Sequence, residues 1–562
     1  MGTVGYFYKI EVSEDLLDWT ALPIVEEGFD EPIEWGFAVN KDRFFYRLRI
    51  CSLFAEDGNM IILPGGVTFI GEPEMRGFFE NGNDHGLDIN KGFVFSTGIA
   101  ADWNKKGHPQ NEDHNLDGDA DLEHWMRNHG FEDESGLSGK VYKSHDASGV
   151  IIDFEVKPNI ENGSVNLEFL FASDEYYMPP SSIAPGPNAM NDAMAIFFFR
   201  LDNNNEVIPE TRKNLALLPQ TETHSRAINV YNAGEISDPD RSTNVLVSEF
   251  VNNSPFEDDH DSNGEVPPYE LGYSGFTGKM IASGGPARID DDVEIISLVR
   301  QGNTTIGSQD MGWGGIVFRG SHSLEDKLNG YIVGFGLDEG DVAFTLYKVE
   351  DHDAGPEGGP AIMPNDGHPN FPSQSVSVLK SVNVTNFDIN DWYWIKVDVE
   401  GNMIRARFWK DGESEPGNWA IEHEDLANPP LVSGFSGIAN LGTTLENQFQ
   451  AAMFSVEAET LYATNFEDDQ TGSRIPDDWS TIGLHAAAAW NVNEESGVPG
   501  GKYVQYSDNT NSVAVLRLEG DERLEGGKRY RVKIVVADAG SDGFWDSAIF
   551  IKQASFNIIP DY

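Results

Sequence analysis

Between Asp113 and Asp121 the chain runs Asp113-x-Asn115-x-Asp117-Gly118-Asp119-x-Asp121, with oxygen-bearing side chains at alternating positions around a glycine that can turn the backbone. Calcium loops gather about six to eight hard oxygens in this way, so Ca2+ is the cofactor the pattern predicts. The twelfth position of an EF-hand loop would be His124 and not Glu, so the segment is no EF-hand, although Glu123 could substitute from one residue earlier. The competing reading is a solvated acidic loop. A second available chemistry is sugar recognition. Trp313, Trp409, Trp419 and Trp479 stand near turn-rich segments, where an exposed indole could stack on a sugar ring while nearby Asp and Asn accept hydroxyl hydrogen bonds. Most tryptophans of β-sandwiches are core residues; Trp313, inside Met311-Gly312-Trp313-Gly314-Gly315, is the strongest candidate for exposure. Catalytic constellations are scarce. Asp398-Val399-Glu400 has the alternate spacing that sheet-borne glycan hydrolysis needs, but it runs into Gly401-Asn402, a hairpin turn that would hold an acid and a nucleophile poorly. No G-x-S-x-G, H-E-x-x-H, P-loop or dinucleotide fingerprint occurs in its required context. The protein reads as non-enzymatic.

The elements that must position these residues follow from composition. Within 562 residues, 38 Lys and Arg face 93 Asp and Glu, a net charge of -55. Such a field repels phosphate backbones and anionic bilayers, which argues against nucleic acid and membrane surfaces as partners. The single cysteine, Cys51, excludes an internal disulfide framework and cysteine zinc sites. The length exceeds one core and implies about three domains. The 58 glycines, 11% aromatics and many Asn/Asp/Gly turns between short alternating runs predict an all-β chain of multiple β-sandwiches. No apolar run approaches the roughly 18 residues of a membrane span, and Ala193–Phe199 fits a buried strand. The first residues enter a strand pattern at once and lack a charged stretch followed by an apolar one. The expectation is either synthesis without that export route, as for a virion component released by lysis, or a missing leader.

Three units are expected along the chain. Residues 1–52 carry Tyr6–Val12, Trp19 and Phe44–Ile50, and resemble a small fibronectin-like repeat that serves as a spacer. From Gly65–Gly71 and Met75–Phe79 the chain continues through Gly92–Gly98, Gly118–Glu123, Val150–Val156, Phe169–Tyr176 and Asn191–Phe198. Ile228–Asn232, Gly275-Phe276-Thr277 and, far downstream, Tyr530–Phe550 complete the series. In that order these motifs resemble the choice-of-anchor L domain, a β-rich module of bacterial surface and secreted proteins, over about 56–282 plus 523–558. The host domain is accordingly expected at 56–282 and 523–562. The segment set into it, 285–521, carries Asp292–Arg300, Gly314–Gly320, Asn329–Phe335, Trp392–Val397 and Ala406–Lys410, and resembles a concanavalin-like, laminin G-type jelly roll of the kind found in phage tail proteins. Its usual first segment, Phe466–Trp479, comes last, which implies circular permutation. Two pairings are then expected: Val513–Leu518 beside Val293–Val299, and Tyr530–Ala537 within the sheet of Val150–Val156 and Asn166–Phe171.

The resemblance brings a second carboxylate group to one end of the host: Glu175, Asp192, Asp538 and Asp546, with Asp174 and Asp542. Calcium is one expectation there, and hydrogen-bonded turn carboxylates are the other. The function the resemblances imply is a non-enzymatic structural and adhesive protein of a virion surface or tail, presenting a lectin-like, glycan-binding module. The alternative is a secreted bacterial cell-surface adhesin, and the third a glycan hydrolase. Expected partners are other subunits of the virion or surface assembly, within which the chain is oligomeric, and a cell-surface glycan.

Overall fold

A computed structural model describes residues 6–13, 20–27, 45–54, 59–80, 89–100, 116–128, 144–173, 192–217, 280–302, 313–325, 327–338, 341–353, 375–426, 431–442, 448–457, 461–464, 479–482, 490–496, 501–506, 514–520, 522–539 and 547–561, with short pieces between them. The chain is built of antiparallel β-sheets, and the described residues contain one α-helix, Ala120–Asn128. Among the described residues no helix is long and apolar enough to cross a membrane. At the N-terminus, Tyr6–Ser13 pairs with Thr20–Glu27 on one side and Phe45–Ser52 on the other.

Two sheets form a first sandwich. One runs Lys213–Asn214, Ala193–Arg200, Arg529–Ala539, Ser144–Val156, Met60–Ile70. The other runs Gly275–Phe276, Gly163–Ser173, Ser547–Lys552, Lys91–Ser96, Arg76–Glu80, with Met280–Gly284 and Asn557–Pro560 also on Gly163–Ser173. The last strands of the chain thus lie in both sheets with strands some 400 residues earlier in sequence. Strand periodicity explains the packing. In Ser144–Val156, Val150, Ile152, Phe154 and Val156 are fully buried while Ile151, Asp153 and Glu155 are half-buried on the opposite face. Phe154 meets Phe198, Tyr530 and Phe556 with ring centroids 6.0, 6.0 and 5.6 Å away. Ala193–Arg200 is apolar on both faces for a different reason. Met194, Ile196 and Phe198 face the core between the sheets, while Ala193, Ala195, Phe197 and Phe199 pack with Leu122, Trp125 and Met126 of the helix.

A second sandwich is made entirely from residues 293–518. Its eight-stranded sheet runs Ile421–Glu424, Met403–Lys410, Tyr393–Glu400, Val293–Gly302, Gln448–Glu457, Lys502–Tyr506, Trp490–Glu494, with Leu461–Thr464 on Gln448–Glu457. Its seven-stranded sheet runs Val376–Asn383, Asp341–Asp353, Lys327–Asp338, Trp313–His322, Phe435–Gly442, Ala514–Leu518, Trp479–Ile482. One contiguous core lies between them, from Val293 and Ile295 on one side to Leu516 and Leu518 on the other. The two links to the first sandwich run side by side: Arg288 N donates to Glu519 O at 2.8 Å and Glu522 N to Pro286 O at 3.1 Å.

Strand Arg529–Ala539 lies beside Ser144–Val156, as expected, and Ala193–Arg200 flanks it on the other side. The expected place of Asn166–Phe171 in that sheet is overturned: it belongs to the facing sheet, where Phe169–Phe171 pairs with Ile549–Ile551. The expected neighbourhood of Val513–Leu518 and Val293–Val299 is overturned. Ala514–Leu518 pairs with Phe435–Gly442 and Trp479–Ile482, while Val293–Gly302 lies in the other sheet. Alternation tells which face of a strand is buried, but two strands that bury the same core from opposite sheets have the same alternation.

Candidate functional site

Of the acidic segment, the described residues from Asp117 onward lead into helix Ala120–Asn128. Asp113 and Asn115 lie outside them, and Asp117 is exposed, its backbone bridged to His145. Asp119 caps the helix: its Oδ1 accepts from Leu122 N at 3.0 Å. Its Oδ2 lies 2.5 Å from Lys533 Nζ. Asp121 accepts from Arg212 at 3.1 Å and from Lys533 at 2.7 Å. Glu123 Oε1 accepts from Ser144 N at 2.8 Å and from Ser144 Oγ at 3.2 Å. Burial alone would push the Asp121 carboxyl up and the Lys533 ammonium down. Their mutual attraction, helped by Arg212 at Asp121 and by Asp119 at Lys533, outweighs it and moves both the other way. Asp119, Asp121 and Glu123 are thus engaged by a helix cap, a buried ion cluster and a backbone amide. Among the described residues no group of three or more His, Cys, Asp or Glu side chains is placed to hold a metal. The same alternating acids hold a helix start: an N-cap Asp, acids in the first turn, and Leu122, Trp125 and Met126 on one face.

Of the second carboxylate group, Glu175 and Asp546 lie outside the described residues, as do Asp174 and Asp542. Asp192 and Asp538 are both buried, and the pairing of Ala193 with Ala537 sets them side by side at one end of the sheet. Asp538 also faces His145 across the neighbouring strand.

The tryptophans divide. Trp479 is 3% exposed and packs against Phe454 at 5.2 Å and Phe466 at 6.0 Å, so it fills the second core and is no ligand contact. Trp313 begins a strand, and its side chain lies outside the described residues. Trp409 and Trp419 lie on the outer face of the eight-stranded sheet. They are positioned by the hairpin Tyr393–Glu400 and Met403–Lys410, whose Gly401 turns at φ +55°. Tyr393, Ile395, Val397 and Val399 point into the core, which sends Trp394, Lys396 and Asp398 outward opposite Trp409, Arg407 and Arg405. Trp394 and Trp409 are nearly parallel, at 17°, with ring centroids 6.2 Å apart. Trp394 Nε1 donates to Asp411 Oδ1 at 2.9 Å. Next to the pair, the Arg407 guanidinium sits 4.1 Å over the Trp419 ring and donates to Pro416 O at 2.9 Å and to Glu415. Lys396 reaches Glu294 at 2.8 Å. Half-exposed indoles flanked by fixed donors and acceptors suit a polyhydroxylated ring, whose C–H faces need an apolar plane and whose hydroxyls need both kinds of partner. Asp398 and Glu400 both lie against Arg405, at 2.8 and 3.7 Å. Trp394 is the residue of this face that sequence reasoning missed.

A family model described as Choice-of-anchor L domain matches residues 59–285. The matched stretch ends where the second sandwich begins, and the closing strands Arg529–Ala539, Ser547–Lys552 and Asn557–Pro560, outside it, complete its two sheets. No curated protein sequence matches the chain. Among solved structures, a carbohydrate-binding module, CBM66 from Bacillus subtilis, is matched at 17% identity over 29% of this chain and 77% of that one, with a TM-score of 0.18. A likeness at that score carries no argument.

Proposed function

We propose that the protein is a non-catalytic, extracellular surface protein that binds carbohydrate through the outer face of its eight-stranded sheet. The observation that carries the reading is the parallel Trp394–Trp409 pair with Asp411 fixing one indole. The choice-of-anchor L match favours a cell-surface adhesin over a virion fibre, for which the same binding face would serve. Around the pair the basic residues Lys396, Arg405, Arg407 and Lys410 are each matched by an acid. That balance is unusual in a chain of net charge -55 and suits a neutral glycan. Screening the intact protein on a glycan array, then titrating the best ligand, tests the reading. Trp409→Ala should weaken binding about tenfold, the equivalent of one aromatic contact of about 1.4 kcal/mol. An array without binders, or wild-type affinity in both Trp394→Ala and Trp409→Ala, would sink it.

The second sandwich is further proposed to be an inserted unit, set into a loop of the first. The adjacent backbones at Arg288 and Glu519 support this. Removing residues 289–518 and joining Arg288 to Glu519 through a short glycine linker should leave a folded protein, because a shorter loop costs no more closure entropy and the first core lies in the retained segments. Circular dichroism with loss of cooperative unfolding would count against it.

A further inference from the structure

The two sandwiches meet at a polar junction. Helix Ala120–Asn128 lies against strand Trp479–Ile482, and a small cleft there is lined by His124, Arg212, Asn214, His322 and Arg517 among others. His124, from the helix of the first sandwich, and His322, ending strand Trp313–His322 of the second, are 3% and 8% exposed. His124 Nε2 lies 3.1 Å from His322 Nδ1, and the ring centroids are 4.7 Å apart. On the other side of His124, an Arg212 N–H points at Nδ1. Arginine only donates, so His124 Nδ1 accepts, its proton sits on Nε2, and that N–H donates to Nδ1 of His322. The run Arg212 to His124 to His322 therefore has one direction, and it holds only while both rings are neutral. A proton added to His124 lands on Nδ1, facing Arg212; one added to His322 at Nδ1 faces the His124 N–H. Either addition breaks a bond that joins or orients the two sandwiches.

The surrounding charges do not remove the obstacle. From the helix come Asp119 and Asp121, committed to Lys533 and Arg212. From strand Arg529–Ala539 comes Lys533 itself. From strand Ala514–Leu518 and its end come Arg517, whose N–H groups donate to the carbonyls of Glu210 and Arg212, and Glu519. Glu210, in the short turn before Arg212, attracts Arg517, as Glu519 does. Strand Trp479–Ile482 contributes Ser480 and Thr481, which do not titrate. Acids and bases are close to balanced, so the direction of the hydrogen bonds, more than net charge, resists protonation.

We propose that the His124–His322 pair is an acid-sensitive latch between the two sandwiches, closed with both rings neutral and opened when either takes a proton. Its contribution is complete above about pH 6.5, the ordinary imidazole value, and is lost as pH falls below it. Two rings give up to roughly a hundredfold change in the open-to-closed ratio per pH unit, and one ring about tenfold. Hydrogen exchange of the intact chain, corrected for intrinsic rates, should show protection of segments 120–126 and 514–520 falling between pH 7.5 and 5.5. His322→Gln, whose amide oxygen can accept from His124 without titrating, should roughly halve the logarithmic slope. Unchanged wild-type protection, or equal slopes in the two proteins, overturns the latch. If His322→Gln does not fold, imidazole nitrogen shifts of the wild type decide: two rings that stay neutral well below pH 6 support it, and all rings titrating near 6.5 overturn it.

Discussion

Lys533→Met is expected to destabilise the first sandwich by about 3–5 kcal/mol, the cost of removing one partner from a buried ion cluster. The Lys533 side chain is 11% exposed and holds Asp119 at 2.5 Å and Asp121 at 2.7 Å, whose side chains are 8% and 21% exposed. Methionine replaces the stem but not the charge, leaving two carboxylates side by side with Arg212 on one of them. The helix cap is affected too, since Asp119 serves both the cap and the ion pair. The pH dependence has a definite sign. Asp121 has its pKa lowered from 3.8, so its contribution is complete above that value and is lost as pH falls through the lower, folded one. Lys533 has its pKa raised from 10.5, so its contribution is complete below that value and is lost as pH rises through the higher one. The cluster's contribution is therefore constant between about pH 5 and 10. Urea unfolding at pH 7.5 checks the magnitude, and a loss below about 1 kcal/mol would show that the cluster is solvated in solution.

How much of this was legible in the sequence depended on whether a residue's neighbours carried its signal. Ala193–Phe199 was readable as a buried strand because seven apolar residues in a row have few other uses. The closing strands at 529–560 were readable as partners of the first sandwich from ordered motifs, not from periodicity. Helix Ala120–Asn128 was hidden because its acids alternate like cation ligands, and only Leu122, Trp125 and Met126 mark its buried face. Trp394 carried a usable signal that was passed over: alternation puts it on the face of Lys396 and Asp398, opposite Tyr393 and Ile395. Trp479 carried none, because a tryptophan after an acidic turn looks the same whether the next strand turns it inward or outward. The histidine latch was beyond sequence altogether. Its two rings are 198 residues apart and belong to different sandwiches.

Gly149→Ala is expected to remove about 3 kcal/mol or more from the first sandwich while leaving the second untouched. Gly149 lies in strand Ser144–Val156, paired with Ile70 on one side and Val535 on the other. A Cβ at this position would lie 1.9 Å from Ile534 O and 3.0 Å from Val535 Cα. Both are backbone atoms, so no side chain can rotate away, and relief requires strand Arg529–Ala539 to separate from its neighbour. Overpacking costs typically about 1–3 kcal/mol where side chains yield, and more where they cannot. The damage should stay local because, among the described residues, the two hydrophobic cores share no residue and the junction between the sandwiches is lined mainly by polar side chains. Gly401→Ala is the control. Its Cβ would meet nothing within 4 Å, and only its φ of +55° opposes a side chain, at a cost of about 1 kcal/mol in the second sandwich. Calorimetry should then show two transitions, the one assigned to the first sandwich lowered by Gly149→Ala and the other slightly lowered by Gly401→Ala. A single transition that moves as a whole in both variants would mean that the two sandwiches unfold as one unit. An unshifted first transition would mean that the strands separate at Gly149 at no cost, and that the closing strands of the chain are not needed to hold the first sandwich together.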